Sequence, residues 1–468
     1  MKVSRLVLFA LLSVSAGCQP EKPHEKVEVK RPEPVFVSTY KPLPSKSMLF
    51  KNATLLVGTG ERIDKAFLFI KDGKVVEVGK SVAVSPDVEI VDVKGKWITP
   101  GIIDVHSHLG VYPSPSHKMA EDGNEMTAPN TAEVWAEHAV WTQDPGFNLA
   151  RAGGVTSMLV LPGSANLFGG RGVALKNVPS VTMQGMKFPN APHALKMACG
   201  ENPKRVYGSD GRSPMTRMGN VAGYRKAWIE AVEYKKSWDD YYKKAEQGEE
   251  VEPPGRDLQL ETLKGVLEGK IRIHNHCYRA EEMAVMIDIA KEFGYKISTF
   301  HHAIEAYKVA DLLAENNICA AMWADWWGFK HEAFDTVTEN VAMVDKASPN
   351  ACAIVHSDSA IGIQHLNQEA AKAMAAGNRM GLQIKPKDAI RWLTLNSARS
   401  MGVDSLVGSL ESGKMADFVI WNQNPFSVYA KAEKVFIDGA LVFDRDDKSR
   451  QAASDFELGI EDPEGERL

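Results

Sequence analysis

The sequence lacks the signatures of several large protein classes. It contains no Gly-x-x-x-x-Gly-Lys-Ser/Thr loop, so nucleotide hydrolysis has no support. Its formal net charge of −5 offers no basic surface for a nucleic acid. It contains no Cys-x-x-Cys pair that would indicate a structural zinc site. What remains is the composition of an ordinary globular protein, with 44% hydrophobic and 25% charged residues.

Cysteine is scarce, with five residues in a chain of 468. Four of them, at positions 199, 277, 319 and 352, lie in or next to apolar stretches that resemble strands. An even number permits disulfide bonds in an exported protein. No short spacing indicates a cross-link, however, and a core of this size does not need one. We therefore expect buried free thiols.

Residues 1–18 resemble an export signal. Lys2 and Arg5 precede an apolar run, residues 6–12, that is too short for an ordinary membrane-spanning helix. Small residues then lead to Cys18 in Ser-Ala-Gly-Cys, which resembles a bacterial lipobox, although its first position usually holds Leu. Cys18 is the predicted lipidation site, and a plain cleaved signal is the alternative. The Gln that follows favours the outer membrane, so we predict an outer-membrane lipoprotein at the periplasmic face of that membrane.

The two chain ends share a strand-like pattern. Residues 19–46 are rich in Pro, Lys and Glu and predict an extended tether. Residues 47–99 alternate in the manner of short strands, and residues 405–445 do the same. Both sets contain a strand–Asp-Gly–strand pattern, so we predict that they pair into one small β-sandwich. Residues 446–468 form an acidic tail that we expect to be loose.

Residues 100–404 alternate apolar strand-like runs with helical stretches. This alternation favours βα units and a distorted (β/α)8 barrel, of the TIM type, over an open doubly wound sheet. The candidate strands are residues 102–105, 155–161, 194–198, 271–274, 296–300, 318–323 and 352–355. The predicted fold is therefore an α/β barrel flanked by a β-sandwich that both chain ends build.

Metal-binding residue types recur where these candidate strands end. His106 and His108 end the first, two positions apart, and so point to the same side of a strand. The pairs 274/276 and 301/302 are also histidines, and Asp358 follows the last strand. The chemistry of a barrel lies at the carboxyl ends of its strands. Imidazole and carboxylate ligands suit Zn²⁺, so the pattern predicts a site for one or two divalent ions, with zinc as the default.

At this point the chain resembles the amidohydrolase superfamily, in the branch with imidazolonepropionase-like and Xaa-Pro-dipeptidase-like enzymes. The resemblance covers about residues 50–445 in the expected order. Its motifs are Thr-Pro-Gly-Ile-Ile-Asp-Val-His-Ser-His (99–108), Gly-Gly-Val-Thr-Ser (153–157), Leu-Pro-Gly-Ser-Ala-Asn (161–166), Lys-Met-Ala-Cys-Gly-Glu-Asn-Pro-Lys-Arg-Val-Tyr-Gly (196–208), Arg-Ile-His-Asn-His-Cys-Tyr-Arg (272–279), His-Ser-Asp-Ser (356–359) and Gly-Ser-Leu-Glu-Ser-Gly-Lys-Met-Ala-Asp-Phe-Val-Ile-Trp (408–421).

The resemblance implies particular metal ligands. His106 and His108 match the first pair, and His276 matches the histidine after the fifth strand. His302 matches the one after the sixth strand, and Asp358 matches the aspartate after the eighth, which also serves as general acid and base.

The bridging ligand stays open between two residues. Some relatives use a carbamylated lysine after the fourth strand, where Lys196 lies, and others use a glutamate, for which Glu201 is well placed. We favour Glu201, because a lysine must first react with CO₂ to become anionic.

Candidate substrate-binding residues lie near the same strand ends. Tyr278 and Arg279 follow the fifth-strand histidine, and a guanidinium can clamp a substrate carboxylate. His301 stands where relatives often have Glu. Further candidates are Trp326 and Trp327, in an aromatic run after the seventh strand, and Arg171, in the loop after the second strand.

The resemblance implies metal-dependent hydrolysis of a C–N bond in an amide, cyclic amide or dipeptide. Metal-activated hydroxide would attack the carbonyl carbon, with Asp358 moving the proton. The alternatives are deamination of a heterocycle at a single metal ion and a non-catalytic scaffold. The expected partner is a small molecule, with no nucleic acid and with membrane contact only through the lipid anchor. The sequence also allows a homo-oligomer.

Overall fold

The structure is a computed structural model that describes residues 35–450, apart from positions 84, 87 and 115. The predicted signal, Cys18, residues 19–34 of the tether and residues 451–468 of the tail lie outside the described residues. No helix in the described part of the chain has the length and apolar character that a membrane crossing requires.

Sixteen strands in this part of the chain form two sheets. They are β1 (Met48–Leu56), β2 (Arg62–Lys71), β3 (Lys74–Gly79), β4 (Glu89–Asp92), β5 (Trp97–Pro100), β6 (Ile102–Ser107), β7 (Val155–Val160), β8 (Phe168–Lys176), β9 (His193–Ala198), β10 (Ile271–Cys277), β11 (Ile297–His302), β12 (Cys319–Met322), β13 (Ala353–Val355), β14 (Phe418–Trp421), β15 (Ala432–Ile437) and β16 (Ala440–Asp444).

Eleven α-helices connect or flank the strands over the same described range. They are α1 (Gly146–Ala152), α2 (Met183–Met186), α3 (Glu201–Gly208), α4 (Arg217–Glu246), α5 (Leu258–Leu267), α6 (Ala280–Phe293), α7 (Ala310–Glu315), α8 (Asn340–Ala347), α9 (Leu366–Arg379), α10 (Pro386–Ala389) and α11 (Leu395–Met401).

Strands β6 to β13 form the barrel sheet, in which spatial order follows chain order. Neighbouring strands are parallel except at β8, which is antiparallel to both β7 and β9. Between the last and the first strand, the Asp358 amide donates a hydrogen bond to the His106 carbonyl at 3.0 Å, which brings the two edges together. The arrangement is a nearly closed, distorted (β/α)8 barrel, as the alternation of strands and helices predicted.

The second sheet joins the two ends of the chain. Strand β5 pairs antiparallel with β14, in a register that sets Ile98 against Ile420. Phe50, Phe418 and Phe436 form the centre of its core, and the rings of the last two stack at 4.4 Å. Burial of these rings holds the N-terminal and C-terminal strands together. This confirms the predicted β-sandwich built from both ends.

A buried ion network fixes the barrel to this second sheet. Lys176, the last residue of β8, is fully buried. Its Nζ lies 2.9 Å from Asp417 Oδ2 and 3.2 Å from Asp438 Oδ1. Tyr40 donates its hydroxyl to the other oxygen of Asp438. The ammonium thus has one carboxylate partner just before β14 and one just after β15, and a buried charge requires such partners.

Residues 35–46, the described part of the predicted tether, make specific hydrogen bonds to the barrel region. Although they contain no helix or strand, Thr39 donates its amide to the Gln184 carbonyl at 3.0 Å. The Ser38 hydroxyl donates to the Lys187 carbonyl at 2.6 Å. These two bonds hold the segment against α2 and the residue after it, and the Tyr40 hydroxyl ties it to Asp438.

Strand β8 was not predicted from the sequence. Its first residues are Phe-Gly-Gly-Arg-Gly, and such a glycine content hides the strand pattern. Gly170 has a φ of +110°, and a Cβ there would lie 2.4 Å from the Val134 carbonyl oxygen. The close approach of another backbone segment therefore requires glycine in this strand.

The four described cysteines form two disulfide bonds, Cys199–Cys277 and Cys319–Cys352, so the expectation of free thiols is wrong. Each bond joins the neighbouring parallel strands β9 and β10, or β12 and β13, with Cα atoms 5.2 and 4.5 Å apart. The partners are 78 and 33 residues apart in sequence. The cysteines pair because their strands are neighbours in the sheet, and sequence spacing does not reveal that adjacency.

Among the described residues, Lys236–Gly255 belong to a compact unit separate from the rest. This unit includes the final turns of α4, where the rings of Trp238, Tyr241 and Tyr242 contact one another at 5.2 to 5.8 Å.

Candidate metal centre

Two overlapping groups of ligand atoms meet at the carboxyl ends of the barrel strands. Each member of a group lies within 4.8 Å of the others. One group is His106, His302 and His356, and the other is His106, His108 and Asp358. Asp358 Oδ1 lies 3.1 Å from His108 Nε2 and 3.5 Å from His106 Nε2. Four of the predicted ligands therefore converge, with three histidines (106, 108 and 302) around the carboxylate of Asp358.

Hydrogen bonds orient the first histidine pair toward this point. His108 Nδ1 lies 2.8 Å from the Leu161 carbonyl oxygen and donates a hydrogen bond to it, which leaves Nε2 facing Asp358 at 3.1 Å. His106 Nδ1 lies 2.9 Å from His301 Nδ1, and His301 Nε2 lies 2.9 Å from His274 Nδ1. The chain of three buried rings turns His106 Nε2 into the site. Such outer partners are typical of metal-ligating imidazoles.

Several ring nitrogens of the site have no hydrogen-bond partner among the described residues. They are both nitrogens of His276, both of His356 and Nδ1 of His302, and all three rings are buried. A buried polar atom without a partner is costly and needs an explanation. A divalent cation would satisfy such lone pairs, and the donor set of imidazoles and a carboxylate fits zinc.

Burial also keeps these imidazoles in the form that binds metal. It lowers the pKa of His276 and His302 well below the usual value for histidine and that of His356 to about 3. In Asp358, burial raises the carboxyl pKa, but the hydrogen bond from His108 and the neighbouring positive charges outweigh it and the net shift is downward. Neutral imidazoles and an ionised carboxylate are the ligand forms that a cation requires.

Two residues at the site have strained backbones. His302 has a φ of +68° and Asp358 a φ of +51°, which side chains other than glycine rarely adopt. Such strain persists only where the surrounding structure enforces it, and it is concentrated at functional sites. The left-handed conformation of His302 ends β11 abruptly, and those of His302 and Asp358 turn both side chains toward the cluster.

The structure separates the two candidates for the bridging position. Lys196 is fully buried, with Nζ 3.4 Å from His106 Nε2 and 2.9 Å from the Pro162 carbonyl oxygen. Burial lowers the pKa of its ammonium to about 7. Glu201, which the sequence favoured, begins α3, and its Oε1 lies 3.7 Å from Lys330 Nζ. The structure brings Lys196 to the cluster and places Glu201 in an ion pair away from it.

A cavity of about 750 Å³ opens above the cluster. His108, His276, His302 and Asp358 line its inner end, and the predicted substrate-binding residues Tyr278, Trp326 and Trp327 line its wall. Trp323, which begins the aromatic run singled out from the sequence, stacks on His302 at 4.2 Å and on Trp326 at 4.9 Å. A continuous aromatic stack therefore leads outward from the ligand cluster.

Three other predicted substrate-binding residues do not line this cavity. Arg279 precedes α6 and its Nε bonds Glu281 at 2.7 Å, which turns it along the helix. Arg171 bonds Thr262 and lies over the Trp135 ring, so it packs inside the wall. His301 points into the barrel interior as part of the ring chain. Arg279 followed a predicted ligand in sequence, but the first turn of α6 redirects it.

Two features of the site escaped the sequence reasoning. His356, two residues before Asp358, was not assigned as a ligand from the sequence, yet it belongs to one of the two ligand groups. Lys330 and Arg205 also line the cavity, although neither lies at a strand end. The loop after β12 and helix α3 bring them there, so no local spacing could have indicated them.

Comparisons with known proteins agree with this architecture. The model of the amidohydrolase family matches residues 97–442. The amidohydrolase tasK of Hapsidospora irregularis is 32% identical over 397 residues, which are 81% of this chain and 40% of that protein. The chain thus corresponds to well under half the length of this relative.

Two further relatives match nearly end to end. An imidazolonepropionase of Streptococcus gordonii is 23% identical over 412 residues, covering 82% of this chain and 91% of that protein. The crystal structure of an amidohydrolase from Thermotoga maritima MSB8 is similar with a TM-score of 0.76 and 36% identity, over 85% of this chain and all of that one. The resemblance predicted from the motifs is confirmed, and the chain belongs to the amidohydrolase family.

Proposed function

We propose that this protein is a metal-dependent hydrolase that cleaves a C–N bond in a small amide, cyclic amide or dipeptide. The observation that carries the proposal is the set of buried imidazole nitrogens without partners that faces Asp358 at the inner end of the cavity. Family membership supports the same class of reaction.

We propose that His106, His108, His276, His302 and Asp358 hold one or two divalent ions, zinc by default. When bound, such an ion lowers the pKa of water and polarises a carbonyl oxygen. The carboxylate of Asp358 lies within reach of any water at the cluster, so it accepts the proton of that water and then donates it to the departing nitrogen. The stacked aromatic wall limits the access of other water to this proton transfer.

We further propose Lys196 as the bridging ligand, after carbamylation of its amine by CO₂. The reaction forms a bond between Nζ and the carbon of CO₂ and releases two protons from the ammonium, so that a buried cation becomes an anion beside His106. Its distance of 3.4 Å from His106 Nε2 supports this assignment. The ion pair of Glu201 with Lys330 argues against the alternative.

Metal analysis and a substrate screen test the proposal together. Zinc-loaded protein is assayed against N-acyl amino acids, dipeptides and cyclic amides, with zinc content measured in the same samples. We expect His106→Ala to lose bound zinc and hydrolysis, and His138→Ala to retain both, because the His138 ring is half-exposed and does not line the cavity. Full zinc content and full activity in His106→Ala would refute the proposed centre.

The bridging ligand is tested by zinc stoichiometry. We expect Lys196→Ala to bind less zinc than the wild-type protein, and Glu201→Gln to bind the same amount. Added short-chain carboxylic acids should restore zinc to the Lys196 variant, since they replace the missing anion. Loss of zinc from Glu201→Gln alone would show that the glutamate bridges.

We also propose export and attachment to a bacterial outer membrane through Cys18. The two disulfide bonds support an oxidising compartment, where such bonds persist. Cell fractionation tests the idea: wild-type protein should be recovered with outer membranes, and Cys18→Ser should not. Wild-type protein in the cytosol with reduced cysteines would contradict it.

A further inference from the structure

Lys330 presents a buried ammonium group to the substrate cavity. Its side chain is 17% exposed, and Nζ lies 3.9 Å from the centre of the Tyr278 ring. In the described chain its one hydrogen-bond acceptor is Asn202 Oδ1, at 2.9 Å, because Glu201 Oε1 at 3.7 Å is beyond hydrogen-bond distance. An ammonium has three donors, so two remain for a ligand.

A second cation reinforces the positive charge at this place. Arg205 lies one helical turn after Glu201 in α3 and lines the same cavity. Burial lowers the pKa of Lys330, and the charge of Arg205 adds to this effect against the opposing carboxylate of Glu201. Glu332 and Asp358 also oppose the effect of burial, so what this end of the cavity offers a ligand is the free hydrogen-bond donors of Lys330 rather than an excess of positive charge.

Lys330 and Arg205, which form the cationic end of the cavity, line the same cavity as the ligand cluster. Lys330 and His276, a proposed metal ligand, both line it. Between them the wall is aromatic and open to the cavity: Trp326, Trp327 and Phe329 are 37%, 65% and 55% exposed. A volume of about 750 Å³ accommodates a molecule the size of a dipeptide.

We infer that the substrate is an amide of an amino acid with a free carboxylate and an aromatic side chain, that is, an N-acylated aromatic amino acid or a dipeptide ending in one. Lys330, assisted by Arg205, binds the carboxylate, and Trp327 with Phe329 contacts the ring. This inference rests on the proposed function, since the amide carbonyl must lie at the metal centre. It excludes a neutral heterocycle as the preferred substrate.

The assay compares a charged ligand with its neutral isostere. N-acetylphenylalanine and N-acetylphenylalaninamide share the ring and the N-acetyl amide and differ only in the carboxylate. The apparent Kd of each for zinc-loaded protein is measured by quenching of tryptophan fluorescence, with hydrolysis followed in parallel. We expect the wild-type protein to prefer the acid by about tenfold or more, because a charge-assisted hydrogen bond replaces a neutral one.

Variants then locate the charge that gives this preference. Lys330→Met should bring the ratio of the two Kd values close to one, and Lys330→Arg should preserve most of it. The matched control is Lys264→Met, which removes an equally buried lysine, 19% exposed and paired with Glu268, away from the cavity. Glu201→Gln should tighten acid binding, because it removes the competing carboxylate.

Three results would overturn the inference. In the first, wild-type protein shows no preference for the acid. In the second, the acid preference persists in Lys330→Met, because the carboxylate binds zinc instead. In the third, the preference is lost only in Arg205→Met. Failure of the proposed function looks different: the acid preference and its dependence on Lys330 would hold, but neither amide would be hydrolysed. Hydrolysis without acid preference would leave the proposed function intact and refute this inference alone.

Discussion

The disulfide bond between Cys199 and Cys277 should contribute several kcal/mol to the stability of the protein. It closes a loop with a sequence separation of 78 residues. The loop-entropy relation assigns about 4.5 kcal/mol to a loop of that length at 25 °C, and about 3.7 kcal/mol to the loop of 33 residues closed by Cys319 and Cys352. We therefore expect Cys199→Ser/Cys277→Ser to lose more stability than Cys319→Ser/Cys352→Ser.

Urea unfolding followed by far-ultraviolet circular dichroism measures both losses. With a urea m-value of about 3 kcal/mol/M, the double variant of the longer loop should unfold at a urea concentration about 1.5 M lower than the wild-type protein does. Mass spectrometry after alkylation of the denatured, unreduced protein provides the control. Alkylation of Cys199 or Cys277 would show that the thiols are free, and an unchanged midpoint would refute the loop argument even with the bond present.

Two further predictions concern the buried charges and the metal. Lys176→Met should cost about 3–5 kcal/mol, because it leaves Asp417 and Asp438 buried without their cation, and Lys226→Met on the exposed face of α4 should change stability by no more than about 0.5 kcal/mol. Urea midpoints of the two variants check this, and equal midpoints would contradict it. Removal of metal by a chelator should lower the Tm, and added zinc should restore it. At a zinc concentration 1,000 times the Kd, binding should add about 4 kcal/mol to the free energy of unfolding. A Tm that does not respond to either treatment would count against metal bound to the folded state.

The architecture was predictable because each level of the sequence indicated the same fold. Buried runs such as β6 alternate with helical stretches, and the strands at the two ends match in pattern. The exceptions have local physical causes. Strand β8 is antiparallel and rich in glycine, and the Val134 backbone approaches one of these glycines, Gly170, closely, so neither periodicity nor residue type marked it. Disulfide pairing depended on strand adjacency, which sequence spacing does not encode.

The site was predictable to the extent that barrel topology dictates it. His106, His108, His302 and Asp358 each follow or end a strand, and the parallel sheet brings strand ends together whatever the intervening loops contain. The cationic end of the cavity was not predictable, because Lys330 lies on a loop whose path no periodic pattern specifies. Arg279 was a candidate because it follows a predicted ligand in sequence, but the first turn of α6 turns its guanidinium toward Glu281.

Strand β10 shows why a strained ligand cluster can persist in this barrel. Neither ring nitrogen of His276 has a hydrogen-bond partner in the described chain, so the unprotonated one is free to bind metal, and its backbone carbonyl accepts the Cys199 amide at 2.8 Å. The next residue, Cys277, is covalently joined to the same Cys199. One hydrogen bond and one disulfide therefore fix the ends of β9 and β10 beside the cluster. A metal centre needs ligands held to within about 0.5 Å by their surroundings. The left-handed backbone of His302 lies beside this rim, because His302 is paired with Cys277 in the sheet.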